Sequence, residues 1–279
     1  MRRGFTLLEV VFVIVIMGIL AKFGTELLYK TYENYVYSNT FNRLENQSEM
    51  AVKQIANRLQ YRIKDSTIAR DTPGAAPEPI GSNTGNELVL EWIGADIDGW
   101  RSTTLPEWSG FIDLMDSNAT QLATPGSQYV GVDGALFFIG SDVDLSSNFG
   151  WGAGGIGVQS AAMHPVTFTA GPLIVPKAGT GDFSSSVGGV YEFYQFSRSA
   201  YAISLEAGNK LYFYHDYKPW DGESMTTAAA AGNKQLIMED VKTFHFTSLG
   251  DILVVQVCVS DKDITGEGEY SICKEKVVF

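Results

Sequence analysis

The feature that most constrains this chain is its first apolar run. Residues 5–21, FTLLEVVFVIVIMGILA, carry only Thr6 and Glu9 as polar side chains and follow the short basic segment Met1-Arg2-Arg3-Gly4. At about 1.5 Å per residue the run falls slightly short of a bilayer, and Phe23, Leu27 and Leu28 extend it with a tilt. A cleavable secretory signal also opens with a basic segment and an apolar run. Two features weigh against that reading: a carboxylate stands inside the run, and no small-x-small cleavage site follows it.

The stretch Arg2-Arg3-Gly4-Phe5-Thr6-Leu7-Leu8-Glu9-Val10 resembles the type IV prepilin signature, in which a peptidase cuts before the apolar segment. The resemblance implies cleavage between Gly4 and Phe5, methylation of the freed Phe5 amine, and an assembly role for Glu9 at the fifth position of the mature chain. Gly18 falls where the family often has glycine. Glu26 stands where major pilins usually carry a helix-breaking proline, so a melted helix segment is not implied here. The motif covers about the first 25 residues. A looser likeness in layout to minor pilins and J-type pseudopilins covers the rest.

An acid in an apolar membrane helix costs on the order of 2.5–3.5 kcal/mol on insertion scales. Leader removal creates a cationic amine at Phe5. A neighbouring subunit shifted along a filament axis brings that amine to Glu9, which relieves the desolvation cost and fixes the axial register. The competing reading is a tolerated acid near a helix end.

Beyond the apolar run no proline occurs before Pro73, and Phe41, Leu44, Val52, Ile55, Leu59 and Ile63 form one helical stripe. The helix is expected to reach about Asp65. Arg43, Glu45, Glu49, Lys53, Arg58 and Lys64 lie between the stripe's members as a solvated face. Clean heptads are missing, so the stripe is read as packing on a sheet of the same subunit rather than as a coiled coil.

Pro73, Pro77 and Pro79 then break the helix. Strands are expected at 87–93, 135–139, 190–196, 200–205, 210–214, 241–247, 252–259 and 275–279, where β-branched and aromatic residues concentrate. Residues 94–134 and 140–189 are long and rich in Gly and Ser, and read as insertions that give the subunit its particular surface.

Cys258 and Cys273 are the two cysteines, and an exported domain meets an oxidising compartment. If they oppose each other on antiparallel strands, Val254 meets Val277, Ile252 meets Phe279 and Gln256 meets Glu275, so like faces like along the ladder. A disulfide across a C-terminal hairpin follows, its turn falling near residues 261–270.

Little in the exported part points to catalysis. Gly152, Gly154 and Gly157 fit G-x-G-x-x-G, but no strand precedes them and no helix follows, so a loop is the better reading than a dinucleotide site. His164, His215 and His245 stand far apart, and His245 alternates with Phe244 and Phe246 as an outward residue of a strand does. Asp261, Asp263, Thr265 and Glu269 with Gly266 resemble three-quarters of a calcium loop, but Ile272 occupies the place of the bidentate Glu. A plain hairpin turn is the simpler reading of that segment, and calcium is the one cofactor with any support.

The formal net charge of −12 falls to about −14 once Arg2 and Arg3 leave, which repels phosphate backbones, so nucleic acid is not an expected partner. The expected fold is α+β and pilin-like, with a long N-terminal helix packed on a C-terminal antiparallel sheet domain. Its parts are a leader at 1–4, a transmembrane helix at 5–28, the exported remainder of the helix at 29–70, a linker at 71–86 and a β-rich domain at 87–279. The expected function is not enzymatic: a minor subunit of a type IV pilus or of a type II secretion or competence pseudopilus. Its partners would be other pilin or pseudopilin subunits, the prepilin peptidase and the inner-membrane assembly platform. Its place would be the inner membrane, in a single pass, with the globular domain periplasmic or extracellular. The alternative is a binding module mounted on the same stem, contacting a surface, a secreted substrate or DNA.

Overall fold

The computed structural model describes residues 6–82, 85–102, 105–140, 151, 163–183, 189–261 and 270–279. Helix α1 runs unbroken from Leu7 to Leu59, roughly 80 Å at about 1.5 Å per residue. Its second half buries Leu44, Ser48, Ala51, Val52, Ile55, Ala56 and Leu59. That is the expected stripe, except that Phe41 stays 39% exposed. Small residues on the stripe let the helix lie close to the sheets, and the buried Ser48 hydroxyl is satisfied by the Glu45 carbonyl at 3.0 Å.

The helix stops six residues short of the expected Asp65. The physical reason is tertiary: the backbone after Leu59 pairs with a neighbouring strand instead of continuing the spiral. Ile63 N–H donates to the Ile93 carbonyl at 2.8 Å, and Ala95 N–H donates to the Tyr61 carbonyl at 2.9 Å. The Arg62 guanidinium, almost fully buried, then caps the helix end by donating to the Leu59 carbonyl at 2.9 Å and reaches the Asp251 carbonyl at 2.6 Å.

Among the described residues three antiparallel sheets follow. In the first, β1 (Ile68–Arg70), β2 (Glu78–Pro79), β3 (Val89–Gly94), β10 (Ser199–Glu206), β11 (Lys210–Tyr217) and β12 (Lys234–Met238) lie in the order β12-β11-β10-β3-β1-β2. The proline-rich linker thus contributes an edge strand, and Pro79, with no N–H to give, sits where no further strand needs one. In the third, β4 (Asp113–Asn118), β5 (Gln121–Ala123), β6 (Asp133–Phe138), β7 (His164–Thr169), β8 (Leu173–Pro176) and β9 (Tyr194–Ser197) lie in the order β4-β5-β8-β7-β6-β9. The second and smallest sheet is the meander β13 (Val241–Leu249), β14 (Ile252–Asp261) and β15 (Tyr270–Val278). Among the described residues two short helices, α2 (Ile97–Trp100) and α3 (Met225–Ala230), interrupt the strands.

Packing is layered by strand alternation. Leu90, Trp92, Ile203 and Phe213 on one face of the first sheet join Phe244, Phe246, Val255 and Val257 of the second sheet against the buried stripe of α1. The opposite face of the first sheet, with Val89, Ile93, Ala200 and Ala202, packs on Ala135 and Phe137 of β6. The alternate residues of β6, Leu136 and Phe138, turn to a further core with Val166, Phe168, Ile174 and Phe196. Gly134 of β6 is where β9 comes closest: a Cβ there would lie 2.3 Å from the Ser197 carbonyl oxygen.

The reading of 94–134 and 140–189 as surface insertions is therefore corrected. They supply β4, β5, β7 and β8 and most of the third sheet's own core. Their strands are short, carry Gly, Pro and polar residues, and gain order only from long-range pairing, which local composition does not report. The expected 87–93, 190–196 and 275–279 strands also shift, to Val89–Gly94, Tyr194–Ser197 and Tyr270–Val278.

Candidate functional site: the N-terminal helix

Thr6 is the N-cap of α1, and its hydroxyl oxygen accepts from the Glu9 N–H at 3.4 Å. Thr6-Leu7-Leu8-Glu9 is thus the S/T-x-x-E spacing of a capping box. Glu9 stands in the first turn, where unpaired backbone amides and the helix dipole favour negative charge. The acid consequently costs less than one at mid-helix would, and no ion pair joins it to a described residue. Gly4 and Phe5 lie outside the described residues.

Residues 7–28 of α1 touch no other element. Leu7 is 84% exposed, Ile14 65% and Leu20 64%. At about 1.5 Å per residue they rise roughly 33 Å, close to the ~30 Å of a bilayer's hydrocarbon. α1 is one helix long and apolar enough to cross a membrane, and none of its most apolar window is buried in the protein. The Thr25 hydroxyl, within this stretch, donates back to the Ala21 carbonyl at 3.0 Å, so it needs no water. The pair Glu26–Lys30, at 3.3 Å and half or more exposed, marks the polar border. A Cβ at Gly18 or Gly24 would meet nothing within 4 Å among the described residues, so none of them asks for glycine at either position.

The other end of the helix is fastened. Lys274 of β15 pairs with Glu45 at 2.7 Å, and Lys64 pairs with Asp251 at 3.2 Å. Cys258 and Cys273 are joined, with S–S 2.08 Å and Cα–Cα 4.0 Å, and the flanking register places Val254 opposite Val277 and Gln256 opposite Glu275. A rigid β domain therefore carries a projecting apolar rod.

The remaining sequence candidates do not converge. His164 lies in the third sheet, His215 in the first and His245 in the second. His215 pairs with its neighbour Asp216 at 2.8 Å. Asp261 ends β14 by pairing with Tyr270, while Asp263, Thr265 and Glu269 lie outside the described residues, as do Gly152, Gly154 and Gly157. Among the described residues no group of three or more His, Cys, Asp or Glu is placed to hold a metal.

One buried ionic cluster was not visible in the sequence. Glu91 of β3 is fully buried, accepts from Arg70 Nε at 2.6 Å and from the Tyr217 hydroxyl at 2.7 Å. Burial and the Glu91 charge push the Tyr217 hydroxyl well above its ordinary range. Alternation in Glu87-Leu88-Val89-Leu90-Glu91-Trp92-Ile93 puts Glu91 beside Val89 and Ile93, but only the covering third sheet makes that face an interior.

A β domain fastened to one half of a long helix whose other half is bare and apolar has the form of a domain on a stalk long and apolar enough to cross a membrane. Residues 1–21 match the prokaryotic N-terminal methylation motif, so the chain carries the type IV prepilin signature at its N-terminus. Comparison with curated proteins and with solved structures returns no match.

Proposed function

We propose that this protein is a minor structural subunit of a type IV pilus or of a type II secretion or competence pseudopilus. Prepilin peptidase cuts between Gly4 and Phe5, the Phe5 amine is methylated, and the inner-membrane platform builds the mature chain into a filament through α1. Until then the protein rests in the inner membrane in a single pass, with its β domain periplasmic or extracellular. The observation that carries the reading is the bare apolar half of α1, headed by the methylation motif and by an acid with no ionic partner among the described residues. Packing against the same half of neighbouring subunits covers that surface, and a neighbour's Phe5 amine neutralises Glu9. The third sheet, which has a core of its own away from α1, supports a second reading in which the subunit also presents a binding surface.

The capping geometry allows a sharp test. Glu9→Gln keeps the hydrogen-bonding shape of the capping box and removes the charge, whereas Glu9→Val removes both. Both variants are expected to insert in the membrane and both to drop out of filaments. If Glu9→Gln assembles like the wild type, the acid serves the helix cap and the intersubunit pair is wrong. A bulky residue at Gly4 should leave the precursor uncut, and N-terminal sequencing of incorporated protein should begin at Phe5.

A further inference from the structure

The chain passes from the third sheet to the first at Arg198, the single residue between β9 and β10. A cleft opens at this crossing, in two lobes of about 360 and 560 Å³ that share Asp96, Asp98, Arg198 and Tyr201. Arg58, from the last turn of α1, and Arg101, just after α2, line the smaller lobe; Lys218 lines the larger. In a chain of net charge −12, these four cations form no ion pair with any described carboxylate. Two of them are held ready by aromatic rings. The Arg58 guanidinium lies 4.0 Å from the centre of the Phe213 ring, and Arg101 lies 5.1 Å over the Tyr61 ring while donating to its hydroxyl at 3.2 Å. A guanidinium fixed by stacking keeps its remaining N–H groups for a bidentate anion and loses little freedom on binding.

The acids in the cleft are engaged in other ways. Asp96 accepts from the Tyr129 hydroxyl at 2.7 Å and from Gly99 N–H at 3.4 Å, Asp133 from the Thr167 hydroxyl at 2.6 Å, and Asp216 lies 2.8 Å from His215 Nδ1. Each carboxylate retains acceptor capacity, since an ionised carboxylate has about four lone-pair sites. A site offering unpaired guanidinium donors beside carboxylate acceptors matches a ligand that brings one carboxylate and several hydroxyls. An acidic peptide or a nucleic acid brings mainly further negative charge, which Asp96, Asp98, Asp133 and Asp216 repel.

We infer that the cleft at the sheet crossing binds an acidic saccharide, with Arg58, Arg101 and Arg198 on its carboxylate and the aspartates on its hydroxyls. The cleft lies where the last turn of α1 meets the β domain, and the inference does not depend on how the apolar half of α1 assembles.

The test uses the full chain in nanodiscs and isothermal titration. The probes are galacturonate and sialyllactose, each with one carboxylate, their uncharged counterparts the methyl ester of galacturonate and lactose, and tetraglutamate. At least one carboxylated sugar is expected to bind, about tenfold or more tighter than its uncharged counterpart and than tetraglutamate, a gap of the size one good charged contact gives. Arg198→Gln, at an exposed side chain without ion pairs, should weaken it by about tenfold with the melting temperature unchanged. Arg101→Lys, which keeps the charge and loses the planar fork, should weaken it as well. Absence of binding by both carboxylated sugars, equal binding of the uncharged ones or of tetraglutamate, or an Arg198→Gln protein that binds like wild type would each overturn the inference.

Discussion

His164 shows how far a single side chain can depart from what its sequence neighbourhood announces. On β7 it is almost fully buried, its ring 5.0 Å from that of Phe138 and 6.5 Å from that of Phe183. Burial lowers its pKa from 6.5 to about 4. The unfolded chain takes up a proton below pH 6.5 while the folded one stays neutral until about pH 4, so stability falls across that window as pH falls. The loss amounts to about 3 kcal/mol at most. In His164→Gln the denaturant-derived stability should be flatter between these pH values, and an unchanged slope would contradict the assignment. Glu91 is a second case of the same kind. Truncation by Glu91→Ala leaves the Arg70 guanidinium without its counter-ion and the Tyr217 hydroxyl without its acceptor, and should cost about 3–5 kcal/mol in equilibrium unfolding. A loss under about 1 kcal/mol would mean that water replaces the carboxylate.

Two elements decide whether the rod and the β domain act as one body. Ile55 on α1 is 1% exposed among residues of the first and second sheets. Ile55→Ala should cost about 2–5 kcal/mol and raise hydrogen exchange along residues 44–59, because the cavity opens at the helix–sheet seam. The hairpin β14–β15 supplies the other fastening, since β15 carries Lys274 to Glu45. Closing a loop with a sequence separation of 15 stabilises by about 3 kcal/mol in the chain-entropy model. Cys258→Ala/Cys273→Ala, unfolded in denaturant, should show a loss near that size, and addition of reductant should then change nothing further. Wild-type protein indifferent to reductant would show that the bridge contributes little. The hairpin's register was legible because opposing the two cysteines fixes it and a slip of one residue would turn every side chain to the other face; the match is incomplete, since Val255 and Val257 stand opposite Lys276 and Lys274. The end of α1 was not, because residues 60–63 keep a helical composition and are recruited by β3 only in space.

Across the whole molecule the third sheet behaves as an added layer: it shares one face with the first sheet through Ala135 and Phe137 and keeps Phe168 and Phe196 for itself. Phe168→Ala should cost about 3–5 kcal/mol locally and speed exchange in β5 to β9, while α1 and β13 to β15 stay protected. Equal loss of protection in all three sheets would mean that the layers unfold as one unit. The apolar rod, the methylation motif, the strands rich in β-branched and aromatic residues and the cysteine pairing were all determined by the sequence alone. Each rests on local composition or on a short period, and a membrane or a single paired strand is enough to read it. The layer built from 94–134 and 140–189, the burial of Glu91 and His164, and the gathering of Arg58, Arg101 and Arg198 at one crossing were decided only by the tertiary structure. The three arginines lie 40 or more positions apart along the chain, and no local pattern records which face a later strand will cover.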